Sequence, residues 1–281
     1  MQRIDLHTHS TASDGTDSPA ELVVAAAQAG LDVVAITDHD STAGWSDAVA
    51  AGERVGVRVV PGVEISTARD GRSLHLLAYH LDPADLWLLA ETEHTRSSRQ
   101  TRLQRIVDRL AAGGIPVTLA EVTAQVPPGA TAGRPHIADA LVAGGVVRDR
   151  DEAFRRFLHG GSRYVVSHYA PDPADAVRAV RAAGGVPVLA HPFGSTPYAG
   201  SDAMVEELAA AGLFGLEIAH RDHDDAARRR GRALAVTLGL LETGASDYHG
   251  TGKQNRLGEH LTDPDTLAAI DAAATDARTT S

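Results

Sequence analysis

The chain has 281 residues, a formal net charge of −11 and 43% hydrophobic residues, enough for a packed core and for one α/β barrel. It has no cysteine, which excludes disulfides and cysteine-ligated zinc or iron–sulfur sites and suits a cytoplasmic protein. The acidic balance argues against broad nucleic-acid binding, and the sequence shows neither a signal peptide nor an apolar run near the ~18 residues of a membrane span.

A strand at 3–7 opens the chain. The first helix is well signalled: Ser18 can cap it, Pro19 suits its first turn, Glu21 completes a capping box and Gly30 ends it. A strand at 32–37, a helix at 42–55 and strands at 57–64 and 74–79 follow. From 84 to 169 the rhythm breaks into helices at 85–112, 119–125, 134–142 and 150–158, with a single strand at 163–166. Residues 85–170 carry eleven arginines against nine acids, so this stretch is near neutral within an acidic chain. Asp172-Pro173 and Gly184-Gly185 then bracket a helix, strands at 186–191, 214–218 and 240–246 complete the pattern, and residues 274–281 read as a frayed tail. Alternating β and α elements imply a parallel sheet with helices outside, open or closed into a barrel. Three segments result: 1–83, a helical insertion at 84–169, and 170–281.

The histidines and acids fall at successive strand ends. His7 and His9 are one residue apart, so on an extended strand both rings share a face. Asp14 follows in a Ser-Asp-Gly turn. The next strand ends in Thr37-Asp38-His39-Asp40 and the next in Pro61-Gly62-Val63-Glu64. His75 sits within the fourth strand, where His80 is its competitor on the opposite face. His191 ends the fifth strand, and Asp247 and His249 lie just past the last. Such ends form the active face of an α/β barrel. Six imidazoles and three carboxylates exceed what one ion takes, which implies two or three divalent metals with Glu64 as a bridge. A metal-bound hydroxide would then be the nucleophile, and no protein nucleophile is required.

His7-Thr8-His9-Ser10 with Ser13-Asp14-Gly15 resembles the first motif of the polymerase and histidinol phosphatase (PHP) family. Thr37-Asp38-His39-Asp40, Pro61-Gly62-Val63-Glu64, Ala190-His191-Pro192 and Ser246-Asp247-Tyr248-His249 resemble its later motifs, with Tyr248 in place of the usual Phe. The resemblance covers essentially the whole chain. It implies a distorted seven-stranded (β/α)7 barrel with a trinuclear site of manganese, iron or zinc. By that resemblance His7, His9, Glu64 and Asp247 hold one metal, Glu64, His75 and His191 a second, and Asp14, His39 and His249 the third. The branch with a helical insertion contains nucleoside 3′,5′-bisphosphate phosphatases and 5′-3′ exoribonucleases. Its phosphate-gripping element is similar to Gly133-Arg134-Pro135-His136, so Arg134 would fork onto a phosphate and His136 would add a donor. The same residues can also serve only as a helix start.

Arg96, Arg99, Arg102, Arg105 and Arg109 recur at helical spacing, as a basic lip or, for most of them, a solvated face. Aromatic residues are 4% of the chain, too few for stacking along a long single strand, which favours short substrates. His220 and His223 follow the sixth strand, and His223 is a candidate phosphate ligand or proton donor. Glu217 reads as structural, Asp38 or Asp40 as an acceptor orienting His39, and His94, His159, His168 and His260 as surface residues. The expected activity is metal-dependent hydrolysis of a small phosphorylated substrate such as a nucleotide, or of a very short RNA. The alternatives are a 5′-3′ exoribonuclease, a histidinol phosphatase and a non-catalytic metal-binding module. Nothing in the sequence points to a protein partner.

Overall fold

The structure, a computed structural model, describes residues 2–70, 72–193 and 201–279. Short aliphatic runs form seven strands: β1 (Ile4–Asp5), β2 (Val33–Ile36), β3 (Arg58–Arg69), β4 (Arg72–Tyr79), β5 (Val186–Leu189), β6 (Gly215–Ala219) and β7 (Leu241–Gly244). They pair in chain order in one sheet. The sheet curls until its edges meet. Thr8 bridges Tyr248, and the His9 N–H donates to the Tyr248 carbonyl at 2.8 Å. The buried Asp5 carboxylate reinforces this seam, accepting from the N–H of Ser246 at 3.0 Å and of Gly258 at 2.8 Å. The result is a nearly closed seven-stranded α/β barrel.

The sheet is not wholly parallel. β3 runs past Glu64 to Arg69 and turns directly into β4, so β4 is antiparallel to both β3 and β5. Strand propensity and spacing carry no direction. The short connection decides it, because a parallel crossover needs a dozen or more residues.

Helices α1 (Pro19–Gln28), α2 (Trp45–Val55), α7 (Pro173–Ala182), α8 (Asp202–Ala210) and α9 (Asp225–Leu238) cover the barrel. The capping box of α1 forms as the sequence predicts, with Ser18 and Glu21 bonded reciprocally. A further helix, α10 (Pro264–Thr279), runs through residues expected to fray: Leu267, Ile270 and Ala274 pack beside Ile4 and Leu6 at the barrel base, and this contact carries the helix onward. Residues 280 and 281 of the predicted tail lie outside the described residues.

Between β4 and β5 the chain forms α3 (Leu86–Ala112), α4 (Leu119–Thr123), α5 (Arg134–Ala143), α6 (Arg150–Ala153) and a π-helical turn at Phe154–Leu158. They enclose a separate apolar core around Ile106, Leu110, Ile137 and Leu141. The strand predicted at 163–166 does not form. Its carbonyls are taken by arginines of α3 instead: Arg109 donates to those of Arg163 and Val165, and Arg102 to that of Val166. Leu110→Ala, which empties the centre of this helical core, is expected to cost about 2–5 kcal/mol in urea unfolding.

Candidate metal centre

The site starts at the exit of β1, where His7 and His9 point into the mouth of the barrel with no solvent exposure. The following loop folds back so closely that a Cβ on Gly15 would lie 2.2 Å from the His9 carbonyl oxygen. This tight return carries Asp14 beside His9. The loop is tied to β2 by the buried Asp38 carboxylate, which accepts from the Ser10 N–H at 2.8 Å and from the Ser10 and Ser13 hydroxyls at 2.7 Å. Asp40 instead holds the Ser66 N–H and hydroxyl, both at 2.8 Å, and the Arg99 guanidinium at 3.1 Å. These two acids therefore brace loops and do not orient the His39 ring between them, as the sequence had suggested. Their partners, Ser10, Ser13, Ser66 and Arg99, are remote in sequence.

Glu64, 1% exposed, is the hub. One carboxylate oxygen faces His7 at 3.3 Å, His9 at 3.1 Å and His39 at 3.0 Å. The other faces His75 at 2.8 Å and His191 at 3.3 Å. Asp247 stands 3.5 Å from His7 Nε2 and 3.4 Å from His9 Nε2. Asp14 lies 3.3 Å from His249 Nε2 and 3.9 Å from His39 Nε2. All nine residues singled out in the sequence thus meet at one end of the barrel. His75 reaches it from the start of β4, because in an antiparallel strand the start lies at the mouth. His80 faces the other way and bonds Asp271 at 2.9 Å.

Backbone strain concentrates here. His191 and Asp247 adopt φ of +29° and +53°, a left-handed region that costs non-glycine residues energy and persists where the surroundings enforce it.

The cluster has the chemistry of a cation site. His7 Nε2 and His9 Nε2 are 3.0 Å apart and both face Glu64 and Asp247. A proton can bridge one pair of these atoms, whereas a divalent cation meets all four. Ring orientation agrees. His7 Nδ1–H donates to Glu217 at 2.9 Å and His249 Nδ1–H to the Asp247 carbonyl at 2.9 Å, which turns both Nε2 lone pairs inward. Burial, with His9 and Lys253 nearby, pushes the His249 pKa down to about 4, and burial also lowers His39 and His191, so these rings are neutral and fit to ligate. Burial opposes protonation of His9 too, but hydrogen bonds to Asp247 and Glu64 outweigh it and push its pKa to about 9. Residues from these sets, His9, Asp14, His39 and His249, then His7, His9 and Glu64, then His39, Glu64 and His75, each bring ligand atoms within 4.8 Å of one another.

Around the cluster stand further residues, of which the sequence read Glu217 as structural and left Lys253 and Arg150 unmarked. Glu217 on β6 accepts from His7 Nδ1 and from the His191 N–H at 2.8 Å, so it orients two of the nine. Its inward position on β6 was the available signal. Asp247 is gripped by Lys253 Nζ at 2.6 Å, with His220 Nε2 3.7 Å away. Arg150 reaches from α6 to the Asp14 carbonyl at 3.1 Å and ties the helical segment to the site.

A cavity of about 390 Å3 opens over the cluster. Asp14, His39, His75, His191 and His249 line it, and so do Arg99, Arg102 and Arg134. Arg99 is buried, so the arginine face of α3 is no solvated surface at that point. Arg134 lines the cavity while donating to the Leu158 carbonyl at 2.8 Å. His168 lines it as well, with a buried Nε2 that has no hydrogen-bond partner, and its pKa is pushed to about 2 by burial and by Arg99 and Arg102. It is no surface residue. His136 is buried and accepts from the Gly133 N–H at 3.0 Å, which closes the start of α5 and keeps it out of the cavity lining. His223 is committed on both nitrogens, to the Ile218 carbonyl at 2.9 Å and the Phe193 N–H at 3.0 Å, and also lies outside the lining. Both histidines lock backbone turns that sequence spacing could not reveal.

Residues 5–106 match the family model described as PHP domain. The chain is 33% identical over 267 residues to a 3′,5′-nucleoside bisphosphate phosphatase of Chromobacterium violaceum, covering 94% of this chain and 93% of the relative. It is 38% identical over 193 residues to a 5′-3′ exoribonuclease of Haemophilus influenzae, covering 68% of this chain and 69% of that one. A crystal structure described as a candidate metal-dependent phosphoesterase, from Bifidobacterium adolescentis, superposes with a TM-score of 0.93 at 41% identity over 97% of this chain and 96% of that one.

Glu217→Gln, which removes the charge behind His7, is expected to weaken metal affinity about 10–100-fold in chelator-competition titrations. The metal-free protein should respond to pH through His9. Its folded pKa of about 9 exceeds the ordinary 6.5, so its stabilisation is complete below about pH 6.5 and is lost as pH rises to 9. Metal displaces that proton, so the metal-induced rise in thermal midpoint should grow across the same interval.

Proposed function

The chain belongs to the PHP family of metal-dependent phosphoester hydrolases, and from that premise we propose that it removes the 3′-phosphate from nucleoside 3′,5′-bisphosphates. One observation carries this reading. A cavity the size of a small ligand is lined both by residues of the metal-type cluster and by Arg99, Arg102, Arg134 and His168. A substrate with two phosphates can engage both groups at once.

His7, His9, Glu64 and Asp247 would hold one ion, Glu64, His75 and His191 a second, and Asp14, His39 and His249 a third. The two oxygens of Glu64, each turned to a different group of imidazoles, support its bridging role. Nitrogen and oxygen donors suit manganese, iron or zinc. When bound, such ions supply an activated water at neutral pH and positive charge for the phosphate oxygens. The side chains do the rest. Glu217 and the Asp247 carbonyl keep His7 and His249 turned inward. Arg102 and Arg134 fork onto the non-scissile phosphate. Residues 84–169 act as a cap that presents those arginines, with His136 bracing the start of α5. No side chain serves as nucleophile. Among the described residues no helix is long and apolar enough to cross a membrane, and a small cytoplasmic nucleotide is the substrate this reading requires.

A second reading, release of nucleotides from a short 5′-phosphorylated RNA, is favoured by the similarity to the exoribonuclease of Haemophilus influenzae. It uses the same cluster and the same arginines.

Manganese-reconstituted protein is expected to release phosphate from adenosine 3′,5′-bisphosphate, and the Asp14→Asn, His249→Ala double variant to fall to background. Arg102→Ala should raise KM for the bisphosphate about tenfold or more, in line with a lost charge-assisted bond of about 1.5–3 kcal/mol. It should leave adenosine 3′-monophosphate, which lacks the distal phosphate, nearly unaffected.

A further inference from the structure

Asp14 and His249 reach the cluster on two different loops, one leaving β1 and the other leaving β7. Asp14 lies 3.3 Å from His249 Nε2, so the spacing of these loops decides whether both side chains can ligate one ion. The loops bond each other at Thr16, whose N–H donates to the His249 carbonyl at 3.2 Å. Further ties come from the helical segment. The Thr131 N–H donates to the Ala12 carbonyl at 3.2 Å, and Gln254 Nε2 donates to Asp151 of α6 at 3.0 Å.

Arg150 of α6 stands between the two loops. Its Nη1 donates to the carbonyl of Asp14 itself at 3.1 Å. The same nitrogen packs flush against the other loop, where a Cβ on Gly252 would lie 2.1 Å from it. Only glycine allows that approach. Asp139 of α5 accepts from Arg150 Nε at 2.6 Å and Nη2 at 2.7 Å, a bidentate fork that fixes the guanidinium plane and balances its charge.

We propose that Arg150 is a positioning residue for the ion that Asp14, His39 and His249 would hold, clamping the two loops at the spacing that lets both ligate at once. The inference rests on the metal reading above. Arg150 acts through the loops and not on substrate. Its pair with Asp139 is neutral, so its effect on the ion is geometric. The other ligands have different supports. Glu64 and His75 lie within the β3–β4 ladder, and the Ser246 N–H, one residue before Asp247, is pinned by Asp5 at 3.0 Å. Loss of Arg150 should therefore loosen one ion and spare the rest. Partners standing behind metal ligands typically contribute about 10–100-fold in affinity.

The test titrates the metal-free full chain with manganese against a competing chelator and counts bound metal by elemental analysis. Asp14→Asn identifies the ion in question as the binding step it removes. The Arg150→Met, Asp139→Asn double variant deletes the clamp without leaving a buried charge. It is expected to weaken that step about tenfold or more and to keep the other steps within twofold. Arg150→Lys retains the charge but loses the fork, and should weaken the same step at least threefold, which decides the matter if the double variant does not fold. Leu110→Ala, which loosens the helical core and touches neither loop, should leave the step within twofold. An unchanged step in either folded Arg150 variant overturns the inference. So does a parallel weakening of every step, or an equal loss in Leu110→Ala, because each marks a merely structural role. If Asp14→Asn removes no step from the unsubstituted titration, the metal reading beneath the inference fails first and takes it down.

Discussion

Burying a carboxylate costs several kcal/mol unless opposite charge meets it, and Glu64 is buried in the mouth of the barrel with five imidazoles against it. Asp14, Asp247 and Glu217 stand nearby, also buried. Four carboxylates in one apolar enclosure repel one another unless cations or protonated rings lie between them. Protons serve this need only in part, since burial keeps His39, His191 and His249 below their ordinary pKa. Divalent metals satisfy it fully, and the strained backbone at His191 and Asp247 is the cost of bringing the donors into range.

The reversed strand β4 follows from that requirement. Ser66 pairs with His75 across the β3–β4 ladder and Glu64 with Leu77, so Glu64 and His75 sit on one face as diagonal neighbours. A parallel β4 would deliver its C-terminal end to the mouth and place His75 elsewhere. The same hairpin sends the chain out of the barrel base at Tyr79, from which the helical segment climbs beside the sheet and returns to the mouth.

That segment adds guanidiniums to the cavity beside the metal-type cluster. Its own apolar core holds α3 and α5 rigid, and this rigidity lets Arg99 and Arg134 line the cavity beside the cluster. Arg150, bonded to the Asp14 carbonyl, couples the two halves across the gap. The cavity is thus lined by metal-type donors and by guanidiniums together.

The sequence alone determined the barrel class, the helical insertion and the nine candidate ligands, because strand-end histidines and acids recur with a spacing that random scatter does not produce. It could not determine strand direction at β4, since hydrophobic period reports which face is buried and not which way a strand runs. It missed the burial of Arg99 and the half-burial of His168, because exposure depends on what the insertion packs against. It offered His136 and His223 as substrate groups, and only the tertiary structure shows backbone partners on His136 Nδ1 and on both ring nitrogens of His223. Local pattern carries the identity of elements and ligand types. Orientation, burial and hydrogen-bond commitments arise from contacts between residues distant in the chain, and those exist only once it has folded.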